Sequence, residues 1–324
     1  MNEIVLDVLR RRLSSAGVTE VIPFGGGASS ITFTGVRDER DVVIKVAPAG
    51  VKPVANRDVL RQARVIKALA GTSVPVPEVL WEDDALPPLF VMSRVEGECV
   101  EPLFSGVTDD TPLPDVTERY RNASRVMAAV HRLLPGDIGL GDEPVLEPVA
   151  EVHRWCNALR TVDPALVPGW QDVPEALLRS VPTALRPSVI HGDFRLGNML
   201  AVGAQIRAVI DWEIWAVGDP RIDLGWFLIN SDPGTYQRVP EAAGIAPPSD
   251  ELARIYADEL GGGPAVLDDL SWFRALACFK STATWSLIIK HNRRKRSPRA
   301  ELEAMVPVLP RLLARARALL DQPD

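Results

Sequence analysis

The residues best suited to chemistry lie in one block, residues 188–226, which reads SVIHGDFRLGNMLAVGAQIRAVIDWEIWAVGDPRIDLGW. Asp193 and Asn198 are five positions apart in this block, within the pattern H-G-D-x-x-x-x-N. Two apolar runs separated by turn residues 203–205 follow, and Asp211 comes directly after the second run. This pattern predicts an antiparallel hairpin, whose first and last residues lie opposite each other, about 5 Å apart. We therefore expect Asn198 and Asp211 to converge, with Asp193 beside them.

Three oxygen-bearing side chains at one edge of a hairpin would suit a hard cation. Carboxylate and amide oxygens are the ligands that Mg²⁺ takes when it also binds substrate phosphates. Each residue also has a structural interpretation, because Asp193 could cap a turn and Asn198 could be an ordinary loop residue. Asp211 lies between apolar Ile210 and Trp212, where an unpaired carboxylate is costly to bury. The joint spacing, rather than any single residue, favours a site for metal and phosphate.

The elements that must position this block begin with a small antiparallel β unit. Short apolar runs alternate with turn residues over 21–24, 31–36 and 42–47. A helix is expected over about 56–70, ended by Gly71, and a further strand over 89–95. Three consecutive glycines, at 25–27, separate the first two strands, and Lys45 lies inside the third.

After Gly97 the chain changes to helical periodicity, which the predicted hairpin interrupts. Helices are expected near 117–134, 151–160, 219–230, 249–260, 268–292 and 299–320. We therefore predict an α+β fold with two lobes. The first, residues 1–97, is a small antiparallel β lobe with one main helix, and the second, residues 98–324, is larger and mainly helical. The segment 95–97 (Val-Glu-Gly) joins them.

Composition and charge limit the classes of function. The chain has 324 residues, 46% hydrophobic and 24% charged, which is ordinary for a folded soluble protein. Its formal charge of −7 argues against nucleic-acid binding; it mildly favours a cationic partner but is also what solubility requires. Three scattered cysteines fit a reducing cytoplasm, and no apolar stretch nears the ~18 residues of a membrane span. The expected partner is a small molecule, while the oligomeric state is not readable from the sequence.

HGDFRLGN followed by IDWE resembles the catalytic and metal loops of the aminoglycoside phosphotransferase/choline kinase-like family, a branch of the protein-kinase-like fold. Further matching pieces are the glycine loop at 25–30, DVVIKV around Lys45, PVPEVL, the lobe connector VMSRVEG and GDPRIDLGW. The PVP and GDP stretches are most similar to the subgroup associated with acyl-CoA dehydrogenases. The resemblance covers nearly the whole chain.

The resemblance implies an ATP- and Mg²⁺-dependent phosphotransferase, with a nucleotide-binding first lobe and a catalytic, substrate-binding second lobe. Asp193 would orient an acceptor hydroxyl and take its proton, while Asn198 and Asp211 would hold Mg²⁺. Lys45 would bind the α- and β-phosphates, and adenine would lie against the backbone near Ser93 and Val95. The loop folding over the triphosphate would use Gly25, Gly26, Gly27, Ser29 and Ser30.

Most of the remaining polar residues, among them His131 outside the block, are expected to be structural. His191 would hold the catalytic loop by hydrogen bonds, and Asp223 would brace the same loop. His131 would pack against it, and Glu213 has either a structural role or one in metal or substrate binding. Three tryptophans either line a substrate cleft or pack in the core: Trp170, Trp272 and Trp285.

One position departs from the family pattern. Kinase-like enzymes usually pair the strand lysine with a glutamate on the small-lobe helix, and the inward position here is Gln62. A glutamine can hydrogen-bond Lys45 but brings no charge, and Asp58, one turn earlier, could partly substitute. The leading hypothesis is a small-molecule kinase whose acceptor is aminoglycoside-like, an amino alcohol or a hydroxyacyl compound. The alternative is a catalytically weakened, nucleotide-binding pseudokinase with a regulatory role.

Overall fold

The computed structural model describes residues 3–26, 30–50, 52–102, 113–237 and 245–321. The strands, in chain order, are β1 Val18–Gly26, β2 Ile31–Arg37, β3 Arg40–Val46, β4 Val79–Asp83, β5 Leu89–Ser93, β6 Val145–Leu146, β7 Ser188–Ile190, β8 Met199–Val202, β9 Gln205–Val209 and β10 Ala216–Gly218. The helices are α1 Glu3–Ser15, α2 Val59–Leu69, α3 Leu113–Arg132, α4 Pro148–Leu159, α5 Asp172–Arg179, α6 Arg221–Ser231, α7 Pro233–Tyr236, α8 Ser249–Leu260, α9 Leu270–Arg293, α10 Ala300–Glu303 and α11 Val308–Leu320.

The first five strands form one antiparallel sheet in the order β1-β2-β3-β5-β4. Lys45 lies near the middle of this sheet, opposite Thr32 of β2 and Phe90 of β5. Alternation along β3 buries Val42, Ile44 and Val46 on one face, so the lysine side chain leaves on the other. The predicted meander and helix α2 are confirmed, and α2 begins at Val59 because Asp58 caps its N-terminus.

The rest of the described chain is mainly helical around two small sheets. Strands β8 and β9 form the predicted hairpin, and β6, β10 and β7 form a short sheet that the sequence did not indicate. Helix α9, 24 residues long, packs against α6, α4 and α11. The expected helix over 299–320 is two helices, because Pro307 has no N–H to continue a helical ladder. Helix α5 was missed.

One correction concerns the glycine segment. Gly25 and Gly26 belong to the end of β1, where Gly26 pairs with Ile31, rather than to a loop. No described helix combines the length and apolar character that a membrane span needs. Mixed helices and strands with an antiparallel sheet confirm the predicted fold class, whereas the lobe boundary at residue 97 stays a prediction.

Candidate active site

The β8–β9 hairpin brings Asn198 and Asp211 together as predicted. A 3₁₀ turn ends at Asn198, Met199 then pairs with Val209, and the Ile210 N–H donates to the Asn198 carbonyl oxygen at 2.9 Å. Asp211 follows directly in the left-handed conformation, with φ of 67°. Non-glycine residues in this conformation are uncommon and cluster at functional sites. The hairpin therefore presents an amide and a carboxylate side by side.

The Asp193 carboxylate is fixed by three neighbouring side chains. Asn198 Nδ2 donates to Asp193 Oδ2 at 2.8 Å, and Trp226 Nε1 donates to Asp193 Oδ1 at 2.8 Å. Arg195 Nε lies 3.2 Å from Oδ1 and 3.3 Å from Oδ2. The side chain nevertheless keeps a quarter of its surface exposed, 25%. The carboxylate is thus held in one orientation while part of it stays open to a ligand.

Hydrogen bonds to the side chains of His191 and Asp223 hold the backbone of the same loop. The N–H groups of His191 and Gly192 donate to the two Asp223 oxygens at 2.6 and 2.8 Å. The Asp193 N–H donates to His191 Nδ1, so the proton of the neutral ring is on Nε2, which lies 2.9 Å from the Ile210 carbonyl oxygen. These contacts are the structural roles predicted for both residues.

Gly192 can only be glycine in this loop. Its φ is +83°, and a Cβ here would lie 2.6 Å from the carbonyl oxygen of Ile214.

Burial acts to raise the pKa of Asp223, but contacts with His131 and His191 outweigh it and hold that pKa below its ordinary value. The carboxylate under the loop is therefore ionised and able to accept both N–H bonds.

The sheet and the hairpin enclose a cleft of about 440 Å³. Five of the predicted binding residues line it: Lys45, Ser93, Val95, Asn198 and Asp211. Across this cleft, Lys45 Nζ lies 3.3 Å from Asp211 Oδ1. Of the predicted glycine-loop residues, Gly25 and Gly26 end β1, Ser30 is buried, and Gly27 and Ser29 lie outside the described residues.

Gln62 is buried on the inward face of α2, as expected, with 2% of its surface exposed. The expected hydrogen bond to Lys45 does not form among the described residues, because Lys45 pairs with Asp211 instead. Gln62 Nε2 has no hydrogen-bond partner in that part of the chain. Asp58 does not substitute either, since its carboxylate accepts the Arg61 N–H at 3.0 Å and caps the helix.

The cleft contains a donor set that fits Mg²⁺. Asp211 keeps 36% of its side chain exposed, and Asn198 uses its Nδ2 for Asp193, which leaves its amide oxygen for a cation. The described residues contain no cluster of three or more His, Cys, Asp or Glu side chains able to hold a metal. One or two protein oxygens completed by substrate phosphates are the usual environment of Mg²⁺ in phosphoryl-transfer sites.

A second cavity, of about 400 Å³, lies on the other side of Asp193. Its lining includes an ion pair that the sequence did not indicate, in which Arg195 Nη1 lies 2.5 Å from Glu101 Oε2. Burial raises the pKa of Glu101 above its ordinary value even though Arg195 opposes the shift. Burial disfavours the charge on Arg195, but Asp193 and Glu101 outweigh this and raise the pKa of Arg195.

Aromatic and aliphatic side chains complete the second cavity. Trp226, Trp285 and Ile288 line it, together with Tyr236 and Asn230. Of the three tryptophans with open roles, Trp285 lines this cavity, whereas Trp170 and Trp272 are buried in the core. Helices α6 and α9 supply all three apolar side chains, so the sequence gives no local pattern that groups them.

Comparison with known proteins agrees with this geometry. Residues 20–270 match the model of the "Phosphotransferase enzyme family". Mouse acyl-CoA dehydrogenase family member 10 is 27% identical over 300 residues, covering 86% of this chain and 27% of that protein. Human acyl-CoA dehydrogenase family member 11 is 26% identical over 285 residues, covering 80% of this chain and 35% of that protein. The chain therefore spans about a third or less of these curated relatives.

Solved structures share the architecture along nearly the whole chain. Aminoglycoside phosphotransferase APH(4)-Ia, in complex with AMP-PNP and hygromycin B, superposes with a TM-score of 0.61 at 16% identity and covers 96% of this chain and 97% of its own. The macrolide 2'-phosphotransferase MphH from Brachybacterium faecium gives 0.57 at 19%, with 98% and 99% covered. At such identities the likeness shows the fold, which is the two-lobed protein-kinase-like fold. Together with the family match over residues 20–270, it shows that the chain belongs to the phosphotransferase enzyme family.

Proposed function

We propose that this chain is an ATP- and Mg²⁺-dependent phosphotransferase that moves the γ-phosphoryl group of ATP to a hydroxyl of a small molecule. One observation carries the proposal: the 2.8 Å hydrogen bond between Asn198 and Asp193 joins the two cavities. Asn198 lines the cleft that holds Lys45 and Asp211, and Asp193 lines the second cavity. A nucleotide in the cleft and an acceptor in the second cavity would meet at this bond.

Each charged or polar residue of the site would have its own role in phosphoryl transfer. Lys45 is the cation available to the α- and β-phosphates once it leaves Asp211. Asn198 and Asp211 would hold Mg²⁺, which when bound neutralises phosphate charge. Asp193 would accept the hydrogen bond of the acceptor hydroxyl and take its proton as the new P–O bond forms and ADP leaves. Arg195, beside Asp193, would counteract the charge of the phosphoryl group.

ATP as the donor is also supported by two of the structural neighbours. APH(4)-Ia was solved with AMP-PNP and, as another variant, with ADP, and APH(2")-IIa was solved with streptomycin and ATP. In this chain Ser93 and Val95 line the cleft at the end of β5. They are the residues we propose for the adenine base.

The charges of the second cavity favour an acceptor with an apolar skeleton over a polycation. Both carboxylates that line it among the described residues, Glu101 and Asp193, already pair with Arg195. A polycationic aminoglycoside would need carboxylates free to pair with its ammonium groups. Trp226, Trp285 and Ile288 instead offer surface to a carbon chain. Among the acceptor classes considered, a hydroxyacyl compound fits this lining, and the names of the acyl-CoA dehydrogenase relatives support it.

Nucleotide binding is the property to measure first, by thermal unfolding with and without Mg·ATP. A ligand at about 100 times its Kd stabilises the folded state by about 2.7 kcal/mol, which for a chain of 324 residues raises Tm by about 4 °C. Asp211→Asn should abolish the Mg²⁺-dependent part of this shift, because asparagine keeps the left-handed backbone and loses the charge.

Asp258→Asn is the matched control, since Asp258 is an exposed residue of α8. It should keep the full shift. A wild-type protein whose Tm does not respond to millimolar Mg·ATP would contradict the proposed function. The pseudokinase alternative, for which Gln62 is the supporting observation, predicts the same shift and differs only in phosphoryl transfer.

A further inference from the structure

Lys280 is a buried cation directly behind the catalytic loop. It lies in the middle of α9, has 4% of its surface exposed, and does not line either cavity described above. Removing an ammonium group from water is costly unless charged or polar partners surround it. Packing alone therefore gives no reason for a lysine at this place in an otherwise uncharged stretch of the helix.

The first partner of the ammonium is the backbone of the loop. Lys280 Nζ donates to the carbonyl oxygen of Gly192, the residue that precedes Asp193. The N–H of the same glycine donates to Asp223 Oδ1 at 2.8 Å. Gly192 is thus held on both sides, by a carboxylate from α6 and by an ammonium from α9, which fixes the peptide that leads into Asp193.

The second partner is the ring of Trp226. Lys280 Nζ lies 4.2 Å from the centroid of this ring, well within the range of a cation–π contact. The indole N–H of Trp226 donates to Asp193 Oδ1 at 2.8 Å. The ammonium therefore fixes the position of a ring that in turn fixes the carboxylate.

Lys280 interacts electrostatically with several charged groups, and Asp193 is one of them. Burial lowers the pKa of Lys280, and the carboxylates of Glu151, Asp193 and Asp223 oppose that shift. Glu151 is itself engaged, since its Oε1 accepts the Trp155 indole N–H at 2.8 Å. Three carboxylates thus stabilise the charge of the ammonium, while its hydrogen bond goes to the Gly192 carbonyl oxygen of the loop.

We propose that Lys280 is a positioning residue for Asp193, acting through the Gly192 carbonyl oxygen and the Trp226 ring. The proposal rests on the proposed function, because it assigns Asp193 a role in phosphoryl transfer. Lys280 lines neither cavity, so its removal should lower kcat and leave nucleotide binding nearly unchanged. A residue that only stabilised the fold would lower Tm and leave kcat per folded molecule as it is.

The test compares Lys280→Met with Lys290→Met. Both substitutions replace a lysine of α9, but Lys290 makes an exposed contact with Thr161. ADP production from Mg·ATP, with water as acceptor, gives kcat and the KM for ATP. Because a misplacement of about 1 Å can cost about 100-fold in rate, we expect K280M to lose about 10- to 100-fold in kcat with KM within about threefold. K290M should match the wild type.

Trp226→Phe is a second variant that keeps an aromatic face over Lys280 and loses the donor to Asp193. It should reproduce the fall in kcat, and it stays informative if K280M does not fold. A crystal structure of a folded variant completes the test: in K280M the 2.8 Å contact between Trp226 Nε1 and Asp193 Oδ1 should be lost or lengthened.

The outcomes separate the inference from the proposed function. Wild-type kcat in both K280M and W226F, or an unchanged Trp226–Asp193 contact in the K280M structure, would overturn the positioning role. A wild-type protein that forms no ADP and shows no Mg·ATP shift would instead overturn the proposed function. The crystal structure would then still decide whether Lys280 places Asp193.

Discussion

Gly225 of α6 packs directly against the backbone of α9, and alanine there should move both helices. A Cβ on Gly225 would lie 2.6 Å from the carbonyl oxygen and 2.7 Å from the carbonyl carbon of Phe273. Both atoms belong to the backbone, so a change of side-chain rotamer cannot relieve the clash. Ordinary contact begins at 3.4 Å, and the two helices must therefore separate by about 0.8 Å.

The magnitude follows from two opposing effects. In an unhindered helix, replacing glycine with alanine stabilises by up to about 1 kcal/mol. Forcing an extra methyl group into a packed core costs about 1–3 kcal/mol, and here the obstacle is a rigid backbone. Taking the upper part of that cost, about 2–3 kcal/mol, and subtracting the gain of up to about 1 kcal/mol leaves a net loss of about 1–2 kcal/mol. With about 2.1 cal/mol/K of unfolding entropy per residue over 324 residues, this loss lowers Tm by about 1.5–3 °C.

The separation of α6 from α9 should also displace the catalytic loop. Helix α6 carries Asp223 and Trp226, which hold the loop and the Asp193 side chain, and α9 carries Lys280. We expect Gly225→Ala to lower phosphoryl transfer at least about tenfold, since geometry at a reacting centre tolerates displacements well below 1 Å. The assays are thermal unfolding and ADP production from Mg·ATP.

Gly136→Ala is the matched control, because a Cβ on Gly136 meets nothing within 4 Å. Its Tm and activity should equal those of the wild type. If G225A melted at or above the wild-type temperature, the close contact with Phe273 would not constrain the helices. If G225A lost stability but kept full activity, the spacing of α6 and α9 would not set the position of Asp193.

Two further predictions concern the reaction itself. Asp193→Asn should keep the Mg·ATP-dependent rise in Tm and lower phosphoryl transfer about 10²- to 10⁴-fold, as expected when a general base is removed; equal turnover in wild type and D193N would mean that Asp193 is not the catalytic residue. In a panel containing hygromycin B, choline and a hydroxyacyl thioester, ADP production should rise most with the thioester, and a preference for hygromycin B would show that the Arg195 ion pairs do not exclude a polycation.

The hairpin could be predicted because its information is local. The turn at 203–205 fixes which residues pair, so the convergence of Asn198 and Asp211 follows from 14 consecutive residues. The pattern of α2 likewise placed Gln62 inward. The hydrogen bond expected between Gln62 and Lys45 was wrong, because Lys45 instead approaches Asp211. Those two residues are 166 positions apart, and no local sequence pattern encodes such a contact.

The residues that the sequence analysis missed are held by long-range contacts. Glu101 meets Arg195 across 94 positions, and Lys280 meets Gly192 across 88. One local signal existed for Lys280: it is the only charged residue between Arg274 and Lys290, in a helix otherwise apolar or small enough to be buried on several sides. A lysine in such a stretch indicates a specific buried partner. Glu101 carried no comparable signal.

The contact between Lys45 and Asp211 implies that the nucleotide binding proposed for the cleft would be an exchange of counter-ions. At 3.3 Å, each residue is already the other's partner before any ligand arrives. In the proposed complex, a phosphate would replace the Asp211 carboxylate as the ionic partner of Lys45. A divalent cation would replace the Lys45 ammonium group as the ionic partner of Asp211. The metal complex of the nucleotide would supply a new partner to both residues, whereas free nucleotide would supply one to Lys45 only and leave Asp211 beside the like charge of the phosphates. Charge stoichiometry, as much as shape, would then select the metal-bound nucleotide.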